Sequence, residues 1–317
     1  MTAVPTGATA AGAPGAATDP RTAGDPVRSD TVGGRRRPSR TDGRGSPLRL
    51  ALLLVGALVF LFPFYYMLIG SLQKEPDTGL GGLLPRPGNL TAANYTTINA
   101  SLSLFRALVN SGIFTGGVIA CTVVFGLLAG YALAQLEFRG RGVLFALVLL
   151  VQVVPFQLLM IPLYVLITRD YGLSDNYLGM ILPFAINATA VFIFRQFFLS
   201  LPQALFEAAR IDGASEIAIL RRIAVPLCKP ALLTTVLLTF IGPWNEFLWP
   251  FLVTKDRNLQ PLAVALANYI SSTAATAASP FGAILAGACV LAAPAVGLFL
   301  VFQKRFVDTN IGSGVKG

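Results

Sequence analysis

Polar side chains stand out in this sequence because their surroundings are so apolar. Gln152 and Gln157, Asn187, and the pair Asn245 and Glu246 all sit inside long hydrophobic runs. Amides at such positions can hydrogen-bond the hydroxyls of a polar solute, and they can equally bond a neighbouring helix. Gln152, Asn187, Asn245 and Glu246 are therefore candidates for lining a solute path, with helix-to-helix bonding as the competing role. Trp244 and Trp249 flank Glu246 and read as anchors at a membrane interface. Arg195 reads as a side chain that snorkels out of its run. There is no histidine, which removes the commonest general base and the commonest metal ligand. Cys121, Cys228 and Cys289 lie far apart, with neither disulfide nor zinc spacing, and read as small packing residues. No catalytic constellation, metal site or cofactor site is legible, and no G-x-x-x-x-G-K-[ST] phosphate loop is present.

A second constellation lies at 200–230, where charge and apolar residues alternate. Ser200 and Gln203 read as a capping box, with Pro202 in the first turn. Leu205, Ala208, Ala209 and Asp212 follow helical spacing, and Gly213 suits the left-handed residue that ends a helix. Ser215 can cap a second helix through Ile217, Leu220 and Ile223, with Pro226 as its stop. The expectation is a short helix, a sharp glycine turn and a second helix. Such a half-apolar, half-charged surface lies on a bilayer or docks to a partner.

The elements that hold these residues follow from composition. The chain has 317 residues, 54% of them hydrophobic and only 12% charged. A soluble domain carries about twice that charge, so lipid is the natural solvent. Six apolar stretches, near 50–69, 112–135, 143–168, 177–199, 231–253 and 281–302, are each long enough to cross roughly 30 Å of hydrocarbon as a helix. Pro63, Pro155, Pro162, Pro183, Pro243, Pro250 and Pro294 interrupt them, as membrane bundles tolerate. Gly112, Gly116, Gly117, Gly126 and Gly130 predict close helix contacts along the second stretch. Residues 1–46 are poor in large apolar side chains and read as a disordered tail ahead of a retained first anchor.

Of the 24 Lys and Arg residues, only Lys74, Arg86, Arg106, Arg169, Lys255 and Arg257 fall in one set of loops. The rest, including Arg35, Arg36, Arg37, Arg139, Arg141, Arg221, Arg222, Lys304 and Arg305, fall in the other set. Positive charge stays inside, so both termini are expected in the cytoplasm. The net charge of +9 is thereby explained as a topology signal, without nucleic acid. Asn89-Leu-Thr91 and Asn94-Tyr-Thr96 match a glycosylation sequon only as a weak pattern.

With Glu207-Ala-Ala, Gly213 and Pro226 in view, the loop resembles the EAA loop of ABC importer permeases. From Ala208 through Pro230 it is most similar to the carbohydrate-uptake class, in particular the maltose-type second permease. Tyr131-Ala-Leu-Ala, Phe138-Arg-Gly, Trp244-Asn-Glu-Phe-Leu-Trp-Pro250 and the ending Gly314-Val-Lys-Gly317 extend the resemblance, which covers roughly residue 48 to the C-terminus. An aromatic often found near Ile219 or Leu220 in that family is absent, and the 46-residue tail has no counterpart there.

The resemblance implies an all-α, six-helix bundle of the type I importer kind in a bacterial plasma membrane. It implies a transport subunit rather than an enzyme, with Glu207, Ala208, Ala209, Asp212, Gly213 and Pro226 coupling it to a separate dimeric ATPase. A second permease forming a heterodimer, an extracytoplasmic solute-binding protein and a sugar substrate complete the implied set of partners, with lipid as the surrounding medium. A stand-alone secondary transporter or channel is the alternative. It would need its own coupling acids or repeated broken helices, and neither is visible.

Overall fold

The computed structural model describes residues 47–77, 79–272 and 280–311. The 1–46 tail, its arginines and the Gly314–Gly317 ending lie outside the described residues. The chain divides at Leu53 into two units. The described part of the first is the opening of helix α1 (Pro47–Ser71), with every side chain exposed. The second unit carries all later elements.

All the regular elements among the described residues are helical. A short irregular segment, closed by one antiparallel bridge between Gln73 and Leu90, leads to α2 (Ala93–Leu102). Here both sequon asparagines are committed to backbone. Asn94, buried, donates to the carbonyls of Ser71 and Gln73, and Asn89 exchanges hydrogen bonds with the Glu75 backbone.

Among the described residues, three helices are long and apolar enough to cross a membrane unbroken: α1, α3 (Leu104–Gln135) and α14 (Phe281–Ile311) over Phe281–Gln303. Three further helix pairs pass the same test only together, each bent at a short break. The first is α4 (Arg141–Val151) with α5 (Phe156–Val165), whose last turn is a π-turn over Leu166–Asp170; the bend is 92°. Pro155 forces it, because the residue before a proline avoids the helical region. The second joins α6 (Tyr177–Ile181), extended by a 3-10 turn through Phe184, to α7 (Ala188–Ser200) at 52°. The third joins the segment Glu216–Leu227 to α11 (Lys229–Asn245) at 74°.

The expected continuous helix over 231–253 is interrupted at a separate point. It ends at Asn245, and α12 (Leu248–Val253) starts afresh after Glu246 adopts an extended backbone. Pro63, Pro162, Pro243 and Pro294 lie inside helices without ending them.

The centre of the bundle is α3. It packs most extensively on α7, then on α11 and on α13 (Leu262–Ser271). Close approach to α7 depends on two glycines. A Cβ at Gly126 would lie 2.9 Å from the Ala190 Cβ, and one at Gly130 would lie 2.6 Å from the Phe194 Cβ and 2.9 Å from the Arg195 backbone nitrogen. Gly112 and Gly116 face open space instead, so only part of the predicted small-residue stripe serves this packing.

Both tryptophans are buried and not interface anchors. Trp244 Nε1 donates to the Leu291 carbonyl of α14, and Trp249 Nε1 to the Gly179 carbonyl of α6. Buried indoles need an acceptor, and these two tie α11 and α12 to their neighbours. Arg195 is likewise held within the bundle rather than free at its edge. Its Nε donates to the Leu133 carbonyl, and its guanidinium lies 4.0 Å from the Phe145 ring centroid.

Candidate functional site

The segment after α7 folds as α8 (Gln203–Ile211), a glycine turn, and α9 (Glu216–Ile219). The expected capping box at the start of α8 does not form. Ser200 Oγ bonds back to the Phe197 carbonyl, and the cap position is taken by Pro202, which offers no side-chain bond. Ser200 is still part of α7 and so cannot reach the next helix.

The far end of α8 is as expected. Gly213 has φ of +79°, its N–H donates to the Arg210 carbonyl, and the Ala214 N–H reaches back to the Ala209 carbonyl. These two bonds form a Schellman motif, which satisfies carbonyls the helix end would otherwise leave open. Ser215 then caps α9 through its hydroxyl.

The expected stop at Pro226 moves. The helix runs on through a π-turn at Leu220–Ala224 and through α10 (Val225–Leu227), and breaks at Cys228. The Val225 N–H bonds the Leu220 carbonyl in the wider register, so the chain enters Pro226 without needing its missing N–H.

The buried side of α8 carries Phe206, which has no solvent exposure. Its ring lies 6.4 Å from that of Tyr131 on α3, and Tyr131 meets Phe198 of α7 edge-on at 5.6 Å. Phe206 thus plugs α8 into a core built from the ends of α3 and α7 with Ile219, Ala224, Cys228 and Ala231.

The opposite side of α8 is bare among the described residues. Leu205, Ala208 and Asp212 are exposed, and Ile211 is 86% exposed. Ala209 is half-buried against the core, Glu207 is exposed, and both Gly213 and Pro226 lie at the surface.

A polar network that sequence reasoning did not assemble lies beside Phe206. Glu216 Oε2 accepts from the Tyr131 hydroxyl at 2.6 Å, and Oε1 accepts from Arg210 Nε at 2.7 Å. Arg210 Nη2 donates to the Gln135 carbonyl at 3.1 Å, and Gln135 Nε2 donates to the Phe198 carbonyl at 2.9 Å. The Arg210 hydrogen bond, with the Tyr131 hydroxyl adding to it, holds the Glu216 carboxyl below the usual carboxylate range. Arg210 is correspondingly pushed up by Glu216. Glu207 and Gln203 join Gln135, Arg141, Arg210 and Glu216 around a cavity of about 550 Å³. The opposite charges of Arg210 and Glu216 are six residues apart, on either side of a turn, so no helical pairing rule reveals them.

The four path candidates lie elsewhere. Gln152 Nε2 donates to Thr189 Oγ1 at 3.1 Å, bringing the end of α4 to the start of α7, where Asn187 caps the helix by accepting from the Ala190 N–H. Asn245 bonds back to the Ile241 carbonyl. Glu246 accepts from the N–H groups of Leu248 and Trp249 and so caps α12. The structure joins Gln152 to the first turn of α7, beside the Asn187 cap, and leaves Asn245 and Glu246 at the α11–α12 break.

Residues 122–308 match the model of the family described as binding-protein-dependent transport system inner membrane component. The chain belongs to that family. It is 36% identical over 285 residues to the arabinooligosaccharides transport system permease protein AraQ of Bacillus subtilis (strain 168), covering 86% of this chain and 97% of that one. It is 31% identical to the sn-glycerol-3-phosphate transport system permease protein UgpE of Agrobacterium fabrum (strain C58 / ATCC 33970), over 81% and 92% of the two chains. A chain in the crystal structure of a bacterial ABC transporter involved in the import of the acidic polysaccharide alginate superposes with a TM-score of 0.71 at 27% identity. That match covers 82% of this chain and 95% of the other.

This permease is thus a multi-pass inner-membrane subunit of an ABC importer with the six-helix architecture of that class, and not an enzyme. Membership implies an ATPase, a second permease and a solute-binding protein as its working partners. Nothing in the comparisons favours the secondary transporter or channel.

Proposed function

We propose that this permease carries a sugar or oligosaccharide, and that 200–230 is its coupling element to the ATPase dimer. The observation that carries the coupling reading is the bare outer side of α8. Ile211 at 86% exposure, with Leu205 and Ala208 beside it and the charged Glu207 and Asp212 around them, is poorly suited to water or lipid. Covering a Leu or Ile side chain is worth about 1.5–3 kcal/mol, so a protein groove is the occupant that gains most from this face. Ala208 and Ala209 keep the helix slim enough to enter it. Glu207 offers a carboxylate to a basic group there, Gly213 sets the angle of the next segment, and Pro226 leads into the bend before α11. The names of the arabinooligosaccharide and alginate systems favour a carbohydrate.

The test is purification of the tagged chain with its ATPase. Ile211→Asp is expected to retain about tenfold less ATPase while inserting normally, since burying an unpaired carboxylate costs well over 1.4 kcal/mol. Wild-type retention by that variant would remove the docking face from the reading.

On the family resemblance the second permease is proposed to be a different chain, and on the loop-charge count both termini of this one are proposed to be cytoplasmic. Cysteine labelling from outside intact cells should then reach Arg86→Cys and miss Arg221→Cys. The opposite pattern would invert the topology.

Gln152, Asn187, Asn245 and Glu246 remain the proposed path. Asn187 gives its amide oxygen to the α7 cap, so its amide nitrogen is the group offered to a substrate hydroxyl. Ala at Asn187 or Gln152 should lower uptake of the carried sugar severalfold with ATPase retention unchanged, each lost hydrogen bond being worth about 1 kcal/mol. Normal uptake in both would assign the two amides to helix packing alone.

A further inference from the structure

We propose that Glu216 is the positioning residue that clamps the loop end of α3 to the coupling element, so that the two move as one body. Given the coupling role proposed for 200–230, on which this rests, the ATPase would then drive α3 directly as well as the helices α7 and α11 that border the loop in sequence.

The geometry points to Glu216 because its single carboxylate joins three elements. It belongs to α9, it accepts from Tyr131 on α3, and it accepts from Arg210 on α8. Arg210 closes the ring by donating to the carbonyl of Gln135, the last residue of α3, and the Gln135 amide goes on to the Phe198 carbonyl of α7. Tyr131 and Gln135 are four residues apart, so both bonds fall on one side of α3. The guanidinium also sits at the end of α3 where open carbonyls gather, the favourable end for a cation.

Stability is a poor explanation for this network. The side chains of Arg210 and Glu216 are 34% and 39% exposed. Pairs at that exposure contribute little to folding. The hold of α8 on the core comes instead from Phe206, which is fully buried. What the ring adds is direction. Charge-assisted bonds from donors on two helices fix one orientation of the loop against α3, which an aromatic plug alone leaves free to pivot.

The experiment uses the assembled complex of the full chain with its partners, with spin labels at Arg139→Cys and Arg221→Cys, both exposed and outside the ring. Their distance distribution is read nucleotide-free and again after trapping with MgATP and vanadate. With Glu216 present, the mean distance is expected to stay the same in both states. In Glu216→Gln and in Tyr131→Phe it should shift on trapping and broaden by about twofold, as a released local contact does, with ATPase retention unchanged.

The exchanged pair Arg210→Glu with Glu216→Arg should stay broad, because a carboxylate at 210 cannot donate to the Gln135 carbonyl; a narrow distribution in it would count against the ring. A distance that changes on trapping in the wild-type ring would overturn the clamp. So would variants that lose melting temperature or ATPase while keeping the wild-type distribution, because that is a structural role only. Failure of the coupling reading would show separately, as full ATPase retention by Ile211→Asp. The width of the distribution in the nucleotide-free chain still tests the clamp in that case.

Discussion

Replacing Gly213 with valine, or Glu207 with arginine, is expected to abolish transport while leaving the chain in the membrane. At Gly213 the cause is the backbone. Its φ of +79° is a conformation that costs a residue with a Cβ about 1–2 kcal/mol, and more with a β-branched side chain. Space is not the obstacle, since a Cβ there would meet nothing within 4 Å. The strain is relieved only by leaving the left-handed region. That breaks the bonds from the Gly213 and Ala214 N–H groups to Arg210 and Ala209, and turns α9 away from α8. A surface built from both helices then no longer matches the proposed ATPase groove. Asparagine tolerates the same φ, so Gly213→Asn should keep most of the uptake that Gly213→Val loses.

Glu207→Arg acts differently. It sets a cation where the proposed docking uses an anion, and it adds positive charge beside Arg141 and Arg210 around the same cavity. The measurement is sugar uptake together with ATPase co-purification at wild-type expression. Normal values for both variants would mean that 200–230 is not the coupling element.

The second large effect is expected at Gly130, and there it is the fold that fails. The backbones of α3 and α7 approach so closely that even a methyl group would lie 2.6 Å from the Phe194 Cβ and 2.9 Å from a backbone nitrogen. Backbone cannot swing aside as a long side chain can. Overpacking of this kind costs about 1–3 kcal/mol for small insertions, and a leucine is a large one. Gly130→Leu should therefore yield little folded protein in detergent, and Gly130→Ala should melt several degrees lower. Gly116→Ala on the same helix, whose Cβ would meet nothing within 4 Å, should melt as wild type does. Equal melting of the two alanine variants would show that α3 and α7 can separate without loss.

Phe206 and Gly130 lie at the same junction. Phe206 plugs α8 into the pocket formed where α3 and α7 meet, and Gly130 lets those two helices meet. The proposed coupling element is thus mounted on α3 and α7, the pair that packs most extensively among the described residues.

Much of this protein is local and was therefore legible from the chain. Long apolar runs with little charge demand lipid whatever their partners. Gly213 and Ser215 mark a helix end and a helix start by backbone rules that act within a few residues. The spacing of Glu207-Ala-Ala, Gly213 and Pro226 was enough to indicate the family before any fold was known.

What needed the tertiary structure depends on residues far apart in sequence. Hydropathy could not show that the stretches 143–168 and 177–199 are bent, or that 231–253 breaks at Glu246, since a bent, a broken and a straight helix have the same composition. Nor could it show that Trp244 and Trp249 are buried, because an indole anchors at an interface or fills a core depending on which carbonyl it meets. Glu246 read as a polar group inside a membrane helix until the break after Asn245 turned it into a helix cap. The junction of Tyr131 with Glu216 spans 85 residues. No periodicity predicts such a pair, because hydrogen bonds between distant residues are set by how α3, α7 and α8 pack and not by the sequence around either partner.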